Sequence, residues 1–217
     1  MKKGQLIVLE GIDGSGKTTQ INLLAKSLAE KNIPFEVISF PRYEDNLYGK
    51  LVKRYLEGEF GSISEVSPYL MALVYAGDRF LAKPLIEKWL NDSRVVLVNR
   101  YVSASHAHMG ANLPETEREE FFEWLDELEY QTNRMPKKDL TILLAVDPKI
   151  GQKNVVGRSP DLHEENIKHL EEANKIYLEL AKKEANWYVI NCMKDDQMKS
   201  VEDIHQELLS ILEKVKQ

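Results

Sequence analysis

The stretch LEGIDGSGKTT, residues 9–19, sets three glycines, a lysine and two threonines directly behind an apolar run. Gly11-x-x-x-x-Gly16-Lys17-Thr18 has the spacing of a phosphate-binding loop. Glycine adopts backbone angles closed to other residues and clears side chains from the loop. The loop N–H groups can then face an anion, and a following helix N-terminus adds positive potential. Lys17 contributes a mobile positive charge, and the Thr18 hydroxyl suits a magnesium ion. Gly11, Gly14, Ser15, Gly16, Lys17, Thr18 and Thr19 are therefore the expected contacts of a nucleoside triphosphate. The loop does not say what the phosphate is used for.

Other residues with chemical potential lie further on. Arg42 follows Pro41 at the end of an apolar run, where a guanidinium can hold phosphate oxygens bidentately; a solvated loop arginine is the equal alternative. In YLMALVYAGDRF, 69–80, Leu70, Leu73, Val74 and Gly77 mark one helical face. Tyr75 and Arg79 are four apart and share another, so a ring and a guanidinium could stack a base and bond its edge. Taken alone, that pair reads better as core tyrosine and surface arginine. The run RVVLVNR ends in Asn99-Arg100, an amide where a P-loop enzyme often has an acid beside its metal. Asp147, before Pro148, reads as a turn residue at a strand end. His106 and His108 are two apart and point in different directions on a helix, which argues against a shared metal. In the acidic segment ETEREEFFEWLDELE, Phe121, Phe122, Leu125 and Leu128 form an apolar stripe, so the acidic face reads as solvated.

These residues need a frame. Five short apolar, β-branched runs read as strands: QLIVLEG near 5–11, FEVISF at 35–40, RVVLVNR at 94–100, LTILLAVD at 140–147 and WYVINC at 187–192. Helical patterns lie between them, so the chain reads as an α/β, doubly wound five-stranded parallel sheet with flanking helices. Ligands on such sheets bind at the carboxyl ends of the strands, where the candidate residues fall. The 217 residues suffice for one domain, 1–217, with a sizeable core. A net charge of −6 weighs against a broad nucleic-acid or membrane surface, so an anion site should be local. The single cysteine, Cys192, allows no intrachain disulfide and reads as a small core residue. No signal peptide is apparent and no apolar stretch is long enough to cross a bilayer, so the expected location is the cytoplasm.

Together, GIDGSGKTT, FPRY, YAGDR, NRYVSASHAHMG and DPKIG…R…DLHE resemble the thymidylate kinase (dTMP kinase) family of P-loop nucleoside monophosphate kinases, in order and approximate spacing, over nearly the whole chain. The P-loop is shared by many families; FPRY followed by a DR helix and an RY strand end is far more specific. The resemblance implies a P-loop NTPase fold with a lid near 149–163, transfer of the γ-phosphate of ATP to dTMP with Mg2+, formation of dTDP, and a homodimer. It implies that Lys17 and Thr18 hold ATP phosphates and magnesium, that Asn99 reaches the metal through water, and that Asp13 faces the acceptor 3′-hydroxyl. It likewise implies that Arg42 clamps the acceptor phosphate, Arg100 sits between the two phosphate groups, Tyr75 stacks on thymine, Arg79 bonds the thymine edge and Ser105 lies near the base. Departures from the family pattern are Asn99 for Asp, Ala104 for a serine, and His108 for an aromatic residue near the sugar C2′. The lid is sparsely basic, offering Lys153 and Arg158, with Arg158 favoured for its planar fork. A kinase for another nucleoside monophosphate or a deoxynucleoside, and a catalytically weak relative that only binds nucleotide, are the competing readings. The absence of an NKxD-like segment counts against a guanine-nucleotide switch.

Overall fold

The computed structural model describes residues 3–155 and 161–215. Its centre is a five-stranded sheet: β1 (Gln5–Glu10), β2 (Phe35–Ser39), β3 (Val95–Asn99), β4 (Leu140–Ala145) and β5 (Trp187–Asn191), in the order β2-β3-β1-β4-β5. All four pairings are parallel, as the alternation of strand and helix requires. β1 lies in the middle, and its successive residues point to opposite faces. Leu6 and Val8 join one core, Ile7 and Leu9 the other. Burying each such side chain contributes about 1.5–3 kcal/mol.

Helices cover both faces. On one side, α1 (Lys17–Glu30), α8 (Ile167–Lys183) and α9 (Val201–Val215) contribute Leu24, Ile176 and Leu208. On the other, α2 (Leu47–Leu56), α3 (Pro68–Asn91) and α5 (Arg118–Asp126) contribute Val52, Ile86 and Leu125. Between the two cores, α4 (Val102–Gly110) supplies Ala107 to the first and Met109 to the second. From β1 the chain runs out to β2, returns to β3 beside β1, then crosses to β4 on its other side. The switch point therefore lies at the carboxyl end of β1, where the glycine loop begins.

Three features depart from the pattern read in the sequence. A small antiparallel hairpin, β6 (Met193–Lys194) with β7 (Gln197–Met198), follows the sheet. A π-helical turn, Glu127–Thr132, extends α5. On α3 the face marked by Leu70 and Leu73 points outward, 61% and 43% exposed, while Met71, Ala72, Asp78 and Arg79 are buried. Cys192 is buried and unpaired. Among the described residues, no helix is long and apolar enough to cross a membrane.

Candidate active site

The loop after β1 has the geometry its glycines foretell. Gly11, Gly14 and Gly16 all have positive φ. Gly14 also allows a close approach: a Cβ there would lie 1.9 Å from the Gly151 carbonyl oxygen, on α6 (Pro148–Asn154). The Gly14 carbonyl accepts from Asn154 Nδ2 at 3.2 Å, so the first part of the 149–163 segment packs on the loop. Asp147 caps α6, accepting from the Lys149 and Ile150 amides, which is the turn role expected of it.

Lys17 opens α1 and is buried. Its Nζ donates to the carbonyls of Gly11 and Ile12 at 3.0 and 2.9 Å. Burial, and then the charge of Arg100, push its pKa down to about 7. A cation held this way gains by meeting an anion. Asn99 Nδ2 donates to Thr18 Oγ1 at 3.4 Å, while Asn99 Oδ1 is buried with no partner. A hydroxyl beside an orphaned amide oxygen fits a hydrated hard dication, which takes oxygen ligands and keeps several waters.

Arg100 follows β3 with a left-handed φ of 65°. Its Nη2 donates to Asp13 Oδ1 at 2.5 Å and its Nη1 to His108 Nε2 at 2.7 Å. Burial alone would raise the Asp13 pKa, but Arg100 and Lys17 outweigh it and hold the carboxyl well below its usual range. Asp13 is thus a fixed anion that aims a fixed cation.

Beyond Arg100 a cavity of about 350 Å³ opens, lined among others by Asp13, Thr18, Tyr75, Arg79, Asn99, Arg100, Ser105 and His108. Tyr75 and Arg79 both reach it from α3, as their spacing requires. Arg79 is 1% exposed, against the surface position it would have if read alone. It donates through Nε and Nη2 to Glu129 Oε1, at 2.8 and 2.6 Å, and through Nη2 to Ser105 Oγ at 2.8 Å.

Arg42 sits between Pro41 and Tyr43, which both line this cavity. Asp78 grips it: the Arg42 backbone N–H and Nε donate to the Asp78 carboxylate at 2.8 and 2.9 Å, and Nη2 donates to the Asp78 carbonyl at 2.8 Å. Arg158, the favoured lid cation, lies outside the described residues. Lys153 is exposed on α6.

Sequence reasoning missed Asp78 and Glu129. Asp78 is an acid within an apolar helix, next to Arg79. Glu129 was counted with a solvated acidic face, yet it is fully buried. Its signal was its place: Phe121, Leu125 and Glu129 fall four apart on the apolar stripe. His106 and His108 diverge as expected. His106 Nε2 lies 3.2 Å from Asp126 Oδ1, whereas His108 turns inward, its Nδ1 3.2 Å from His169 Nε2.

The family described as Thymidylate kinase matches residues 9–208. A probable thymidylate kinase of Methanocaldococcus jannaschii is 33% identical over 217 residues, covering 99% of both chains. One from Thermococcus onnurineus is 33% identical over 95% of this chain and 96% of its own. The thymidylate kinase of Mycobacterium tuberculosis (strain ATCC 25618 / H37Rv) is 29% identical over 81% of this chain and 85% of its own. The fold is that of a thymidylate kinase structure from Candida albicans, with a TM-score of 0.78 at 23% identity over 99% of this chain and 93% of that one.

Proposed function

The chain belongs to the thymidylate kinase family, and from that premise we infer that it transfers the γ-phosphate of ATP to dTMP, giving dTDP. The observation that carries this reading is one continuous arrangement: a phosphate loop, a fixed Asp13–Arg100 pair beside it, and a cavity walled by Tyr75 and Arg79. Phosphoryl transfer asks a protein for little covalent chemistry. It needs two charged groups aligned and their charge stabilised in a site closed to water. Lys17 leaves the loop carbonyls for the ATP phosphates. Arg100, aimed by Asp13, lies between donor and acceptor phosphates, and Asp13 also faces the acceptor sugar. Arg42, held by Asp78, clamps the acceptor phosphate from the rim. Arg158 is the proposed lid cation. Thr18 and Asn99 would hold hydrated Mg2+, which when bound neutralises phosphate oxygens.

Tyr75 gives the base a flat face, and Arg79, steadied by Glu129 and Ser105, gives a donor to a pyrimidine carbonyl. Thymine and uracil have that carbonyl; cytosine puts an amino donor there. Two donors facing each other on burial cost about 1–3 kcal/mol for each unsatisfied group. The expected kcat/KM order with ATP is dTMP, then dUMP, then dCMP roughly 30-fold or more behind dTMP. Preference for dCMP or a purine monophosphate would overturn the thymidylate reading and leave the P-loop kinase fold intact.

Asn99 acts on the metal through water in this account, so Asn99→Asp should keep activity and lower the magnesium concentration for half-maximal rate. Complete loss of activity in the folded variant, measured in a magnesium titration, would mean that the site is built around the amide. A homodimer is also proposed. Leu70, Leu73, Phe80, Leu81 and Leu85 are exposed along α3, and Leu47 and Tyr48 are exposed on α2. The two helices meet where Tyr48 packs on Gly77. A contiguous apolar stripe of this kind is characteristic of an interface. Cytoplasmic residence remains part of the proposal.

A further inference from the structure

His108 on α4, His163 on α7 (Leu162–Glu165) and His169 on α8 converge beside Arg100. They are 5%, 5% and 4% exposed, and one ligand atom from each lies within 4.8 Å of the other two. Nothing in the proposed transfer uses His163 or His169. Burial foremost lowers the pKa of all three, that of His169 to about 4, so the rings are neutral at physiological pH. Neutral imidazole is the form that binds metals.

The hydrogen bonds fix the tautomers. His169 Nδ1 donates to Asn112 Oδ1 at 2.8 Å, which leaves a lone pair on its Nε2. An outer amide oxygen of this kind is a common orienting partner for a metal-binding histidine. His169 Nε2 lies 3.2 Å from His108 Nδ1. Two nitrogens bound tetrahedrally at 2.0–2.1 Å from zinc stand about 3.3–3.4 Å apart. Tyr55 bounds the cluster, its hydroxyl 3.3 Å from His163 Nε2.

We propose that His108, His163 and His169 form a site for a first-row transition-metal dication, best matched by zinc, whose filling separates His108 from Arg100 and fastens α7 to α4 and α8. An all-nitrogen set is poor for magnesium, so this site is distinct from the Thr18–Asn99 position. The coupling follows from proton bookkeeping. Arg100 donates to His108 Nε2, so the ring proton sits on Nδ1. Ligation through Nδ1 moves that proton to Nε2, where it faces the guanidinium. Ligation through Nε2 displaces the guanidinium directly. Either way Arg100 loses one of the two partners that aim it. Metal binding stands by itself, whereas its effect on turnover rests on the proposed role of Arg100.

Co2+ titration of the nucleotide-free, magnesium-free full chain tests binding directly. Visible d–d bands of a low-coordinate cobalt ion should saturate at one equivalent, be bleached by Zn2+, and be lost in His169→Gln and in His163→Gln. Asn112→Ala, which touches no ligand atom, should weaken Co2+ binding by about 10–100-fold. A titration that shows only the solvated ion overturns the site without any variant, and bands that survive in both folded histidine variants place the metal elsewhere and overturn it too. Zn2+ should inhibit turnover at fixed Mg·ATP, with recovery on chelation. Cobalt bands with no inhibition by Zn2+ overturn the coupling to Arg100. Absence of kinase activity in enzyme free of transition metal but supplied with Mg·ATP and dTMP would instead be a failure of the proposed function.

Discussion

Lys17→Met is expected to yield a folded protein that has lost nearly all phosphoryl transfer. The lysine is desolvated, tied to two loop carbonyls, and aimed where phosphate charge must be stabilised. Removing one preorganised charge-stabilising donor costs about 3–4 kcal/mol, roughly 10²–10³ in kcat. The fold should not suffer, because a methionine fills the same buried space without a charge to desolvate. Linkage gives a second readout. The folded pKa of Lys17, about 7, lies below its value in an unfolded chain, ordinarily near 10.5. From pH 7 to 10.5 the unfolded chain holds more protons at this position, so the contribution of Lys17 to stability rises with pH across that window. The variant should lack that rise. Single-turnover kinetics and urea denaturation at several pH values check both parts. Full turnover in the folded variant would remove Lys17 from its assigned role.

The glycine loop could be read directly because its chemistry is local. Spacing, a β-branched run before it and a helical run after it lie within thirty residues. The five strands were legible for a related reason: a parallel sheet buried on both faces demands continuous apolar runs, and those runs are in the text. What the sequence hid were partners brought together by the fold. Arg79 and Glu129 are fifty residues apart, and Arg42 and Asp78 are thirty-six apart. Each acid looks like one more surface charge until its helix is turned. Glu129 had a readable position on the apolar stripe, but the π-helical turn that carries it had no sequence signal. The histidine cluster was invisible for the same cause. The pair close in sequence, His106 and His108, diverges, while His108 meets rings from two later helices.

Glu129→Ala is expected to destabilise the protein by about 3–5 kcal/mol, because it leaves the Arg79 guanidinium buried with its main counter-charge removed. The Arg79–Glu129 pair is almost wholly desolvated, with side-chain exposures of 2% and 0% and a separation of 2.6 Å. Ser105 Oγ would remain the only described acceptor of Arg79, and one neutral hydroxyl does not replace a carboxylate. Urea denaturation should show a lower midpoint with little change in slope. Replacing both members, Arg79→Met with Glu129→Leu, should recover much of the loss, since a buried ion pair exchanged for apolar groups of similar volume is often neutral or stabilising. Function should separate from stability at that point. The double variant should be well folded yet poor with dTMP, and its preference for dTMP over dCMP should narrow, because the donor to the pyrimidine carbonyl is gone. An unchanged urea midpoint for Glu129→Ala would show that the pair does not hold the two helices together. An unchanged ratio of kcat/KM for dTMP and dCMP in the double variant would show that Arg79 does not read the base.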